Sequence, residues 1–164
     1  MKKISMLYAL CSMLLLSACG WTPMYDADRK LQTELRDIYI APISGTNGID
    51  LRNALRGAWG TDNSAAAQYT LTVNLRQPET VFKAIQLTGD ATWQEIRMVA
   101  SYELRNNETG EIIVNAIDTA SESYTFVADL VAAQASYNNA VQNAIQVLAK
   151  KIETRVNAKL ADRN

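Results

Sequence analysis

The chain has no histidine among its 164 residues. That removes the commonest general base and the commonest zinc ligand together. Ser-His-Asp and Cys-His nucleophile systems are excluded with it. Cysteine is nearly absent too, with only Cys11 and Cys19. Neither sign of charge dominates, since 16 basic residues face 17 acidic ones. Such a balance carries no general electrostatic footprint for nucleic acid. A long hydrophobic run is also missing: the apolar stretch over residues 6–16 is well short of the roughly 20 residues a membrane-spanning helix needs.

What is present begins with that same stretch. Lys2 and Lys3 precede it, and Leu16-Ser17-Ala18-Cys19 closes it. A cationic start, a short apolar segment and small residues before a cleavage point define a secretory signal. The ending resembles a bacterial lipobox, which implies diacylglycerol on the Cys19 sulfur, cleavage before Cys19 and acylation of the new amine. Several acyl chains make physical sense, because one chain holds a protein only marginally and reversibly. The predicted organisation is a cleaved lipoprotein signal peptide over residues 1–18, a lipidated tether over 19–30 and a single domain over 31–164. Loss of Lys2 and Lys3 leaves 14 basic against 17 acidic residues, a net charge of −3. An anionic membrane surface would not attract such a domain, so the lipid must anchor it. Cys11 would be discarded and Cys19 acylated. The remaining domain would have neither a free thiol nor a disulfide, even in an oxidising compartment, and its stability must come from packing.

Residues 20–30 are not the Gly/Ser-rich sequence of a plain spacer, for they include Trp21, Pro23, Met24 and Tyr25. They read equally well as an irregular segment laid on the domain or as one that docks at the membrane interface or on a partner. Residues 37–42 alternate as a short strand that ends at Pro42. Leu51, Leu55 and Trp59 have helical spacing, with Asn47 the expected N-cap and Gly60 the expected terminator. Tyr69, Leu71, Val73 and Leu75 alternate with Thr70, Thr72, Asn74 and Arg76, as in a strand covered on one side only. Pro78 interrupts this strand, and residues 81–87 resume it. Ile96, Met98, Ala100, Tyr102 and Leu104 form the inward side of a further strand. Residues 106–110 make a hairpin loop, and residues 111–120 return as the last strand, where Ile112-Ile113-Val114 leaves the facing open. Finally, Val141, Ile145, Leu148, Ile152, Val156 and Leu160 recur in steps of three and four. They predict one long helix over about residues 129–160, which Asn138-Asn139 could break.

The order strand, helix, three strands, helix predicts a two-layer α/β (α+β) sandwich. A four-stranded, mostly antiparallel sheet would carry two helices on one face. Its other face would be polar.

These residues resemble the LPS-assembly lipoprotein (LptE) family in its alphaproteobacterial form. Residues Cys19-Gly20-Trp21-Thr22-Pro23-Met24-Tyr25 are similar to that family's opening, and Leu51-Arg52-Asn53-Ala54-Leu55 to its first helix. Tyr69-Thr70-Leu71-Thr72-Val73, Ala100-Ser101-Tyr102-Glu103-Leu104 and Thr109-Gly110 follow in order, ahead of the Ala-rich last helix. The resemblance implies an outer-membrane lipoprotein, lipidated at Cys19 and anchored on the periplasmic side. It would plug and help assemble the LptD β-barrel in a one-to-one complex that inserts lipopolysaccharide into the outer leaflet. It implies no enzymatic activity and no cofactor. Gly20 after Cys19, in place of Asp, favours outer-membrane delivery.

Direct lipopolysaccharide contact would call for cations, since phosphates are met by Arg and Lys. Relatives carry a Thr-Arg pair after the central turn, where this chain has Thr92-Trp93. Lys83 and Arg97 are the basic candidates nearby, although from the sequence the reading as solvated surface charges outweighs the ligand reading. A second binding class stays open, an auxiliary lipoprotein of an envelope-spanning lipid-transport system. A carboxylate or Ser-Lys hydrolase would have to recruit Ser64, Lys83, Glu95 or Glu103, which show no motif spacing.

Overall fold

Alternating apolar residues build the middle of a single sheet, and helical stripes cover one side of it. The computed structural model describes residues 24–85, 91–125 and 129–163. Among these, the elements run α1 (Met24–Arg36), β1 (Ile38–Ile40), α2 (Thr46–Trp59), β2 (Tyr69–Leu75), β3 (Glu79–Ile85), β4 (Ala91–Asn106), β5 (Ile112–Thr125) and α3 (Leu130–Ala161). Residues 1–23, including Cys19, lie outside the described residues.

The sheet has five strands where the pattern predicts four, and the difference is small. β2 pairs with residues 100–106 of β4 and β3 with residues 91–97 of the same strand, both antiparallel. β5 pairs along the other side of β4. β2 and β3 therefore lie end to end, as one long strand broken near Pro78, a residue with no N–H for the ladder. β1 runs parallel to β2, with Ile38 opposite Tyr69 and Ile40 opposite Leu71, so β1-α2-β2 is a crossover unit. The sheet is four strands wide where β1 pairs with residues 69–71 of β2, and three strands wide, β3-β4-β5, at its other end.

Ile38, Ile40, Leu71, Ile96, Met98, Ala100 and Leu104 are buried beneath the helices. β5 faces inward through Val114 and Ala120. Leu104 pairs with Val114 but Arg105 with Ile112, so Ile113 is an extra residue at a bulge. That bulge explains the ambiguous apolar triplet: it moves Ile112 to an exposed position and restores the alternation after it.

α3 is continuous for 32 residues and passes through Asn138-Asn139. Asp129 caps it, its carboxylate accepting from the Ala132 amide at 2.9 Å. All six residues of the predicted stripe are buried, together with Ala133, Ala140, Ala144 and Ala149. Small side chains let the helix lie close on β4 and β5. α2 differs at its start from the sequence expectation. It begins at Thr46, with Gly45 at the cap position at φ 81° and no side-chain cap bond, so Asn47 sits inside the first turn. It ends as expected at Gly60, in the left-handed region at φ 60°. α1 is a third helix that the pattern does not predict. It docks through the buried Leu35 and the half-buried Leu31.

Candidate interaction surface

The two sides of the sheet have opposite characters. All three helices pack on the side that carries the buried strand residues. Thr70, Thr72, Asn74, Arg76, Ser101, Glu103 and Arg105 line the other side, each exposed or half-buried. Among the described residues no element covers them. Their register makes rows of polar pairs: Thr70 opposite Arg105, Thr72 opposite Glu103, Asn74 opposite Ser101. Arg105 donates to Glu103 at 2.7 Å. Thr70 donates to the Asn107 carboxamide at 2.9 Å, and Asn107 in turn donates to the Ala67 carbonyl at 2.7 Å. The face is mostly polar, with Ile112 and Ile117 exposed opposite Arg105 and Ser101, and it can meet another polar wall by hydrogen bonds.

Beyond β3, which like β5 pairs with β4 only among the described residues, the β1 and β5 margins of the sheet are treated differently. β1 is sealed. Its Ile40 amide donates to Asn63 Oδ1 at 2.7 Å, its Ile38 carbonyl accepts from Thr61 Oγ1 at 2.7 Å, and its Ile40 carbonyl accepts from Arg52 Nε at 2.9 Å. Asn63 reaches its place at φ 56°, a conformation asparagine tolerates better than most residues. Among the described residues β5 pairs with β4 alone. Beside it, the flank of α3 brings Lys150, Lys151, Thr154 and Arg155 round a groove with Asp118.

A buried hydroxyl and a carboxylate tie that flank to the sheet. Tyr102, buried on β4, donates to Asp118 Oδ2 at 2.5 Å, and Arg155 donates to the same carboxylate through Nε at 3.2 Å and Nη2 at 2.8 Å. Burial, reinforced by the bond to Asp118, pushes the Tyr102 hydroxyl far above its ordinary value. Burial alone would also raise Asp118, but the hydrogen bonds from Arg155 and Tyr102 outweigh it and hold the carboxyl below its ordinary value. The sequence pattern does not reveal this cluster. Strand alternation puts Tyr102 inside, but nothing local says that Asp118 shares its side or that Arg155 arrives from the helix.

The candidate ligand residues are not brought together. Arg97 lies on β4, is partly exposed and contacts Glu95 at 3.4 Å. Lys83 lies in β3 at a register irregularity between Phe82 and Ala84, next to Gln94 and Trp93, whereas Arg97 pairs with Glu79. The Lys83 side chain is outside the described residues, as is Cys19. Trp93 is 51% exposed and lies opposite Thr125. It shares that end of the molecule with Leu130 and Val131, each 81% exposed at the start of α3. Among the described residues no group of His, Cys, Asp and Glu side chains could hold a metal ion, and no helix is long and apolar enough to cross a membrane.

Residues 35–156 match the model of a family described as LptE, lipopolysaccharide-assembly. Among solved structures, the chain is similar to a Caulobacter crescentus CB15 protein described as a lipoprotein, with a TM-score of 0.68 and 21% identity over 82% of this chain and 98% of that one. The rare lipoprotein B of Shewanella oneidensis gives a TM-score of 0.62 and 13% identity over 76% and 96%. A minor lipoprotein of Acinetobacter baumannii gives 0.57 and 18% over 75% and 92%. At these identities the likeness is one of fold. No match was found among curated protein sequences.

Proposed function

The chain belongs to the LptE lipopolysaccharide-assembly family, and from that premise we propose that it plugs and helps assemble an outer-membrane β-barrel of the LptD type, through which lipopolysaccharide reaches the outer leaflet. In this reading it is a non-enzymatic lipoprotein. Residues 1–18 are removed, Cys19 carries the lipid, residues 19–30 link the lipid to the domain, and the anchor sits in the periplasmic leaflet of the outer membrane. One observation supports the plug role beyond the family match: among the described residues the sheet leaves a mostly polar face uncovered, with Ile112 and Ile117 exposed on it, while its apolar face is used by the helices. The lumen of an outer-membrane barrel is polar, so a filler needs a polar surface that packs flat against it. Contact with lipopolysaccharide through Arg97 or Lys83 is part of the proposal, supported by the partial exposure of Arg97.

Depletion tests this reading. Cells that lose the chain should lose lipopolysaccharide from their surface and accumulate misassembled barrel. Unchanged surface lipopolysaccharide in fully depleted cells would overturn it.

A further inference from the structure

β5 is a long strand with one edge that no described residue pairs with, and the register says which of its backbone groups point there. The Val99 carbonyl accepts from the Arg76 amide at 2.9 Å, toward the β2 side of β4. Val99 pairs with Thr119. An antiparallel residue whose groups point away from its neighbour belongs to a non-hydrogen-bonded pair, so the Thr119 N–H and C=O point away from β4, out of the sheet. A second observation agrees: Lys151 Nζ reaches round the margin and donates to the Thr119 carbonyl at 2.7 Å. The register from Val114 to Thr125 has no shift. Asn115, Ile117, Ser121 and Ser123 therefore share the orientation of Thr119; all four are exposed, and among the described residues no strand pairs with this edge. The run is about 27 Å long at roughly 3.4 Å per residue. β1, in contrast, is sealed by Thr61, Asn63 and Arg52.

The flank of α3 beside this edge is basic. Arg155 is matched by Asp118 and Lys150 by Glu153, at 2.8 and 3.0 Å. Lys151 donates to the Thr119 carbonyl; its charge also acts at longer range on Asp118, whose carboxylate is already bonded by Arg155, and among the described residues no carboxylate forms an ion pair with it.

We propose that the β5 edge takes an extended, acidic segment of the barrel partner as an added strand, running beside Lys151. The proposal rests on the barrel-partner reading and deepens it. The wall of a closed barrel has no free edge, so the incoming segment is one that leaves the wall, a loop folded into the lumen or a terminal arm. Main-chain bonds from such a strand supply affinity, and flanking side chains supply selectivity. An arriving N–H takes the Thr119 carbonyl. Lys151 is released from it and pairs with a carboxylate of the new strand. Lysine at an edge also guards against unwanted pairing, which fits a site that opens only to an acidic strand.

Amide hydrogen exchange of the purified complex, compared with the free chain, tests this. Binding should protect Asn115, Ile117, Thr119, Ser121 and Ser123, while the intervening amides, already bonded to β4, change little. Ser121→Pro removes an outward N–H without removing a β4–β5 bond, and Lys151→Glu repels an acidic strand; each should weaken the complex about tenfold. If Ser121→Pro unfolds the free chain, Lys151→Glu carries the comparison. A complex that forms with the five amides exchanging as in the free chain overturns the proposal and leaves the function standing. Protection that appears in the concentrated free chain assigns the edge to a second copy and also overturns it. Failure to form any barrel complex defeats both.

Discussion

Thr61 serves two backbone groups at once, donating to the Ile38 carbonyl at 2.7 Å and accepting from the Asn63 amide at 3.0 Å. It is buried, and so is its bond to the Ile38 carbonyl, which is left without that partner if the hydroxyl is lost. Thr61→Val keeps the shape and removes both bonds, and urea denaturation should show a loss of about 1–3 kcal/mol. Asp118 gives a pH signature. Its carboxyl is held below its ordinary value when folded. Its contribution is therefore complete above the unfolded value near 3.9 and fades as pH falls through the lower folded value. The stability gap between the native chain and Asp118→Asn should be widest near neutral pH and narrow below about pH 4, as read from melting temperature against pH. A gap that stays constant down to pH 2 would mean that the Arg155 and Tyr102 contacts do not favour the ionised form.

Among the elements, α2 and α3 offer opposite substitutions. A Cβ on Gly48 would lie 2.8 Å from both the Ile43 side chain and the Ile43 carbonyl oxygen. Alanine normally gains about 1 kcal/mol over glycine inside a helix, but here the backbone contact leaves no room. Gly48→Ala should destabilise by about 1–3 kcal/mol. Leu148 is fully buried at the middle of α3, and Leu148→Ala should cost about 2–5 kcal/mol. Both are checked by chemical denaturation. The same two helices show what a sequence can disclose. The α3 stripe is legible because its period holds from Val141 to Leu160 and every member is buried. β2 and β4 are legible because one side is dry and the other wet. α1 is not, since only Leu31 and Leu35 mark it. The start of α2 is hidden because a glycine with positive φ, rather than a side-chain cap, begins it. The facing of β5 depends on a bulge at Ile113, which is a property of the pairing and not of the strand alone. The Tyr102–Asp118–Arg155 cluster joins three elements, so no local period announces it.

At the scale of the whole molecule, the sheet uses one face for its own core and leaves the other largely polar, and in the proposed reading that second face meets the barrel lumen. The family match covers residues 35–156, and the neighbours in structure share the fold. The anchor is separable from this fold in the proposed reading, because Cys19 would be the domain's only cysteine once residues 1–18 are removed. Cys19→Ser should thus give a chain with native circular dichroism that no longer sediments with membranes; an unfolded variant would contradict a separable anchor. The central claim, that this chain fills a barrel, is tested most directly by affinity capture of the tagged chain from detergent-solubilised outer membranes, followed by native mass spectrometry. The account predicts one copy of the chain bound to one copy of a large β-barrel protein. Recovery of the chain alone, or with a transporter-linked tunnel protein in place of a barrel, would contradict it.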